Sequence, residues 1–300
     1  MNRTSDHSRP IPGGRVAYVN GRYLPHRDAT VHIEDRGLQF ADSIYEVCSV
    51  IGGRLMDEPG HLDRLERSLG ALDIAMPLDR RALQVVMRET IRRNRLSNAL
   101  LYLQVTRGSH KRDHPMPAVH KSTLIMTVRP FNVAAVEKRR AEGVGVVTLT
   151  DIRWGRCDIK TTGLLPNTMA KTEARKQGAF EAWLVDAGGY ITEGASTNAW
   201  IVTGEGVIVT RNLSVQILPG VTRLGVLNAL AREGFNAIEE RPFTVKEARD
   251  AREAFVTSAS GGVLPVVSID GQKVGDGRPG EVTHRVHTLY AELSQSEARP

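Results

Sequence analysis

Cysteine is nearly absent from this sequence, and so are long apolar runs, internal repeats and nucleic-acid motifs. The 300 residues include only Cys48 and Cys157, with no short spacing to each other or to a histidine. That excludes a disulfide framework and a thiolate zinc site, leaves no metal centre to expect, and fits a reducing cytoplasm. No stretch approaches the roughly eighteen continuous apolar residues of a membrane-spanning helix. The opening residues MNRTSDHSRPIP are polar throughout, so they read as a loose arm rather than a signal peptide. No solenoid-like period recurs, and nothing matches an RNA- or DNA-binding motif.

What is present suffices for a substantial core. Hydrophobic residues make up 41% and charged residues 25%, which suits one large or two mid-sized domains. The formal net charge of +6 is spread along the chain. Its densest run, EKRR at 137–140, suits a solvated helix or linker better than a nucleic-acid contact.

Hydrophobic periodicity lays out the elements. RVAYVNGRYLP alternates about Asn20-Gly21, a two-residue hairpin signal. IYEVCSVI predicts a strand over 44–51, turned by Gly52-Gly53. HLDRLERSLGALDI puts Leu62, Leu65, Leu69 and Leu72 on one helical face, and RALQVVMRETIRRNRL predicts a second helix. LLYLQVTRG and STLIMTVRP read as strands joined by a polar loop of about a dozen residues, a length that points to function. Beyond a linker near 131–142, VGVVTLTDIRW predicts a strand and NTMAKTEARKQG a helix. The short strands EAWLVDA, GYITE, TNAWIVT and GVIVT follow, then the helix VTRLGVLNALAREG, the strand EAFVTSA, a hairpin about Asp270-Gly271 and a terminal helix from about 280. Strands that meander in this way argue for α+β with antiparallel sheets rather than a doubly wound fold.

Three features carry chemistry. Lys160 follows an apolar strand and precedes a Leu-Leu pair, with only Asp158 as a nearby acid. Glu193 ends a strand and runs into Gly-Ala-Ser-Thr, small residues through which a backbone can approach a ligand. Gly220 precedes a helix whose first turn holds Val221 and Thr222, so unpaired N–H groups and a hydroxyl form an anion site. Arg64, on an otherwise apolar helical face, suits a bidentate phosphate contact. Taken singly, these are also a surface lysine, a turn acid and an ordinary cap. Taken together, a lysine, a carboxylate and a phosphate cup are what pyridoxal 5′-phosphate demands: a Schiff-base amine, a partner for the pyridine nitrogen and an anion site.

The segments RGLQFADSIYEV, HLDRL, YLQVTRG, DIRWGRCDIKTTGLL, EGASTN, ILPGVTR, FVTSAS and PVVSIDG occur in this order. From about Tyr18 to about residue 290 the chain resembles the fold-type IV pyridoxal-phosphate enzymes, the class IV aminotransferases. The resemblance implies two α+β domains, 16–130 and a larger 143–300 carrying the lysine, joined by a linker over 131–142 and preceded by an arm over 1–15. The active site would lie at the domain interface of a homodimer. It makes Lys160 the Schiff-base lysine and Glu193 the pyridine-nitrogen partner. Arg64, Val221 and Thr222 become phosphate contacts, Leu218 lies under the cofactor ring, and the Ser258-Ala259 turn binds cofactor.

Within this family, D-amino-acid aminotransferases carry an Arg-x-His pair in the long loop, delivered to the neighbouring subunit's site. Here Arg112 and His114 occupy those positions. The resemblance therefore implies transamination between D-amino acids and a 2-oxo acid such as 2-oxoglutarate or pyruvate. Alternatives on the same fold are an aminodeoxychorismate lyase, an (R)-amine transaminase, a branched-chain aminotransferase and, more remotely, a non-catalytic cofactor-binding protein. The chain departs from the D-specific pattern at Leu38, where a carboxylate-binding tyrosine is usual. It departs also at Ala41 and Ser43, where glycines are usual, and at Ala259, where a threonine is usual.

Overall fold

The Asn20-Gly21 hairpin forms as its sequence dictates, with both residues at positive φ, 45° and 89°, as a tight turn between twisted strands requires. It joins β1 (Val16–Val19) to β2 (Arg22–Pro25). The structure is a computed structural model describing residues 14–298, so the arm expected over 1–15 lies, but for its last two residues, outside the described part. Next come α1 (Arg36–Phe40), β3 (Ser43–Ile51), β4 (Arg54–Leu55), α2 (Glu58–Ala71), α3 (Arg80–Asn94), β5 (Ala99–Thr106) and β6 (Thr123–Pro130). The six strands form one antiparallel sheet in the order β2-β1-β6-β5-β3-β4. Its buried face, with Ile44, Cys48, Leu101, Leu103 and Met126, meets Leu62, Leu65 and Leu69 of α2 and Leu83 and Met87 of α3.

The segment expected as a linker over 131–142 contains the helix α4 (Val133–Glu142), capped by the Asn132 side chain. Its basic run is not merely solvated. Arg140 donates to the carbonyls of Val263 and Gly261, both at 3.2 Å, and so ties α4 to the second sheet. That sheet is built from β7 (Val144–Thr150), β8 (Glu181–Val185), β9 (Ile191–Gly194), β10 (Asn198–Val202), β11 (Ile208–Thr210), β12 (Ile238–Glu240), β13 (Glu253–Ser258), β14 (Gly262–Ile269) and β15 (Gln272–Lys273). Helices α5 (Leu165–Lys176), α6 (Val221–Arg232), α7 (Val245–Asp250) and α8 (Glu281–Glu297) intervene or follow. The nine strands run β12-β11-β10-β13-β14-β7-β8-β9, with β15 on β14.

The expectation of antiparallel sheets holds only in part here, because the second sheet is mixed. β7 pairs parallel with both β8 and β14, and β11 pairs parallel with β12; α5 and α6 supply the crossovers from β7 to β8 and from β11 to β12 that return the chain in the same direction. The strand expected over VGVVTLTDIRW also ends early, at Thr150. Residues 151–164 cross to the first sheet as irregular chain. No helix among the described residues is long and apolar enough to cross a membrane.

Candidate active site

β4 covers only the far end of β3, leaving the backbone edge at Ser43–Tyr45 to be paired otherwise. The crossing segment fills it. Tyr45 N donates to Lys160 O (3.0 Å), Ile44 bridges to Thr161, Thr162 N donates to Ser43 O, and Ile159 is buried in the first sheet's core. Ser43 adds a hydroxyl contact to Thr162 Oγ1 at 2.5 Å. Lys160 is thereby held by its backbone while its side chain stays free. Among the described residues its Nζ has no hydrogen bond or ion pair and lies over the Tyr45 ring, 4.2 Å from the centroid. Tyr45 in turn stacks on Tyr102.

Lys160 lines a cavity of about 250 Å³ whose walls come from both sheets. Tyr45, Val47, Leu100 and Arg129 belong to the first and Arg64 to its helix α2, while Glu193 and the 258–260 turn belong to the second, with Leu218, Val221 and Thr222 at the approach to and start of its helix α6. The structure thus gathers Lys160, Glu193, Arg64, Leu218, Val221, Thr222, Ser258 and Ala259 around one space.

Glu193 is buried at the end of β9 and fully engaged. Arg153 donates to Oε1, Asn198 Nδ2 to Oε2 at 3.0 Å, and Leu218 N to both oxygens at 3.1 Å. Burial still pushes its carboxyl up to about 7, against the pull of Arg153, the Leu218 amide and Lys160. Arg153 is fixed from behind by Asp151, which accepts from its Nε and Nη2. Asp151 and the other acceptors around Arg153 hold its guanidinium firmly protonated.

At the opposite end, Glu46 of β3 holds Arg64 with two parallel bonds of 2.8 and 2.7 Å and accepts or receives a third contact from His61 Nδ1 at 2.8 Å. Arg64 overcomes the cost of burial and draws the Glu46 carboxyl down to about 2. Arg64 Nη1 reaches the Pro219 carbonyl at 3.2 Å, so the guanidinium is aimed at the start of α6. Gly220 caps that helix without a side-chain hydrogen bond, which leaves its first-turn N–H groups unpaired within the helix. A Cβ on Gly220 would collide with the Asn198 amide, so the close approach requires glycine. The Thr222 hydroxyl and His61 Nε2 are buried without a hydrogen bond of normal geometry, and both residues line the cavity. Thr222 also lies close enough to Tyr290 to bear on that phenol's pKa, which burial raises strongly. Tyr290 and Ser294 of α8 donate to Asp57, the residue before α2, at 2.5 and 2.7 Å. A cup built from Arg64, the α6 start and an orphaned hydroxyl, set apart from a buried carboxylate and a free amine, fits pyridoxal 5′-phosphate: phosphate, ring nitrogen and aldehyde each meet a suitable group.

Arg112, His114 and Leu38 are not brought to this cavity. Arg112 Cζ lies 5.0 Å above the Phe40 ring and the His114 ring 5.8 Å from it, on the surface, and Leu38 is 67% exposed. Ala259 offers no side-chain donor, but Ser258 and Ser260 line the cavity and Ser49 Oγ donates to the Ala259 carbonyl. Sequence reasoning missed Glu46, Tyr45 and Arg153. Glu46 left one signal: it alternates in phase with Ile44, Cys48 and Val50, a carboxylate at a core position that has to find a buried partner.

A family model described as Amino-transferase class IV matches residues 43–269. A D-alanine aminotransferase of Bacillus licheniformis is 39% identical over 278 residues, 93% of this chain and 96% of that protein. One of Listeria monocytogenes serotype 4b (strain F2365) is 36% identical over 91% of this chain and 94% of that protein. Among solved structures, a branched-chain amino acid aminotransferase of Escherichia coli superposes with a TM-score of 0.86 at 24% identity, covering 95% of this chain and 96% of that one, a likeness of fold alone. With the family model spanning most of the chain and the lysine, carboxylate and phosphate cup in one cavity, the chain belongs to the class IV aminotransferases.

Proposed function

We propose that the chain transfers the amino group of D-amino acids to a 2-oxo acid, using pyridoxal 5′-phosphate bound at Lys160. Carrying this reading is the placement of one unpaired amine and one buried carboxylate in a single cavity with a phosphate cup; the relatives named D-alanine aminotransferase support the D-substrate. The cofactor, when bound, supplies an electron sink for the pair left at the substrate Cα. Arg64, the first turn of α6 and the Thr222 hydroxyl would hold its phosphate, and the apolar Leu218 side chain would lie beside its ring. Glu193, fixed by Arg153, Asn198 and the Leu218 amide, keeps a negative charge where a protonated ring nitrogen needs one. Lys160 Nζ takes the substrate Cα proton and, as the one free amine facing the cavity among the described residues, returns it. Ser258 and Ala259 close the cavity beside the cup.

The two sheets with their helices act as two domains, 16–130 and 143–300, with the site between them. Arg112 and His114 stand exposed outside their own cavity beside the half-buried Phe40 ring, which supports their serving a neighbouring subunit in a homodimer, where they would receive the substrate carboxylate. Leu38 offers that carboxylate no hydrogen bond. A panel of D-alanine, D-glutamate, L-leucine, (R)-1-phenylethylamine and aminodeoxychorismate on one preparation tests the reading. We expect turnover of the D-amino acids and its abolition in Lys160→Ala with the fold retained. Reductive trapping should label Lys160; a label on Lys171 or Lys176, or a preference for L-leucine, overturns it.

A further inference from the structure

Four cationic side chains line the cavity: Arg64, Arg129, Arg153 and Lys160. Arg64 is neutralised by Glu46 and committed to the phosphate cup, and Arg153 is neutralised by Asp151 and Glu193. Lys160 is the reacting amine of the proposed function. Arg129 has no such occupation: it is exposed, and among the described residues its guanidinium makes no hydrogen bond, ion pair or ring contact. Among the described residues the only carboxylate in the cavity lining is Glu193, already engaged by Arg153. An unneutralised guanidinium therefore faces a space with no acid left to meet it.

Strand register places it. Arg129 of β6 pairs with Leu100 of β5, Leu100 with Ser49 of β3, and Ser49 Oγ binds the Ala259 carbonyl, so Arg129 sits on the row that ends at the 258–260 turn. Tyr45, on whose ring Lys160 Nζ rests, lies on another row, with Gln104 and Ile125. Ile125 and Arg129 are four residues apart on β6, an offset of about 13 Å. β6 also lies two strands, about 10 Å, to the side of β3, so Arg129 stands about 16 Å from Tyr45, a distance that a long arginine reaching back and a substrate side chain reaching out can share. A group attached to Cα itself, held at Lys160, cannot.

We propose that Arg129 is the residue that receives the second carboxylate of dicarboxylic amino acids and 2-oxo diacids of the glutamate and aspartate type. The proposal rests on the transaminase reading above. A planar fork presents parallel N–H donors to a carboxylate, and a site half-enclosed by the sheets strengthens the contact.

The test compares kcat and KM of holoenzyme and its Arg129→Gln variant on D-glutamate, D-aspartate and D-alanine. Expected is a loss of about 10- to 100-fold in kcat/KM on the two diacids, mostly in KM, with D-alanine changed less than about twofold. Arg129→Glu should shift preference towards D-lysine. Equal losses on D-alanine and D-glutamate, or no loss on either, overturn the assignment. Binding of glutarate and butyrate to holoenzyme, followed by calorimetry, needs no turnover and so separates failure of this subsite from failure of the D-transaminase reading. Glutarate should bind at least about tenfold more tightly than butyrate, and Arg129→Gln should erase that advantage; equal affinities in the parent protein sink the subsite whatever the reaction proves to be.

Discussion

Two glutamates buried in one cavity region are driven in opposite directions by what faces them. Glu46, forked onto Arg64, has a carboxyl drawn from its ordinary value of 4.5 down to about 2. A depressed folded-state pKa contributes stability that is fully present above pH 4.5 and is lost as pH falls through about 2. That contribution is about 3 kcal/mol. Acid titration of Glu46→Gln should therefore show a shallower fall in melting temperature than the parent between pH 4.5 and 2; parallel curves would mean the pair does not form. Glu193 has the opposite sign: raised to about 7, it loses stability as pH rises from 4.5 through 7, and a cation on its open side offsets that cost. Glu193→Gln should leave the cofactor bound but slow single-turnover proton transfer by about two to three decades. An unchanged rate would reduce the carboxylate to a turn residue. Lys160 and Glu193 were legible in the sequence because each breaks a local pattern, whereas Arg153 reads as one more basic residue in DIRWGR and gains meaning only from Glu193, forty residues on. Ala41, singled out where glycine is usual, proves to be left-handed with φ 54°, which is the physical reason glycine suits the position.

Elements built on strong periodicity were readable, and those built on tertiary pairing were not. The hairpins and the long helices follow from alternation, heptad-like spacing and turn chemistry. α1 is only five residues long, too short for a period, and depends on the Asp35 side chain accepting from Gly37 N. α7 is also short, though its Thr244-x-x-Glu247 capping box was written in the chain and could have revealed it. Parallel pairing leaves no mark in single strands. The unexpected element-level device is the clasp of Asp57 by Tyr290 and Ser294, which fastens the start of α2 to α8 behind the cup. Close packing of Gly60 on Val221 sets the starts of α2 and α6 against each other. Because α2 carries Arg64 and α6 carries Thr222, the clasp aligns both halves of the cup. Tyr290→Phe should raise the cofactor dissociation constant about tenfold, equivalent to about 1.4 kcal/mol, measured by absorbance titration of stripped protein. Unaltered affinity would show that the clasp only holds α8.

At the scale of the whole molecule, the proposed homodimer would make the Arg112 loop of one chain part of the other's chemistry. Arg112→Ala should cost about 1.5–3 kcal/mol of transition-state binding for D-amino acids, one to two decades in kcat/KM, and leave amines lacking a carboxylate unaffected. Mixing Lys160→Ala with Arg112→Ala subunits should recover part of the activity, since one site of each heterodimer holds both intact groups. No recovery with subunit exchange verified, or equal losses on amines, would place the anchor within its own chain or in loop support. The cavity's two-sided wall also bears on synthesis. The first sheet's strands are complete by Pro130, and its core draws nothing from beyond that point except Ile159, so it can collapse early. The cavity, by contrast, needs Ser258 to Ser260, and the clasp needs Tyr290. A chain emerging from the ribosome therefore cannot load cofactor until synthesis has passed Tyr290, and the vitamin-derived ligand acts as a seal on two assembled sheets rather than as a template for their folding.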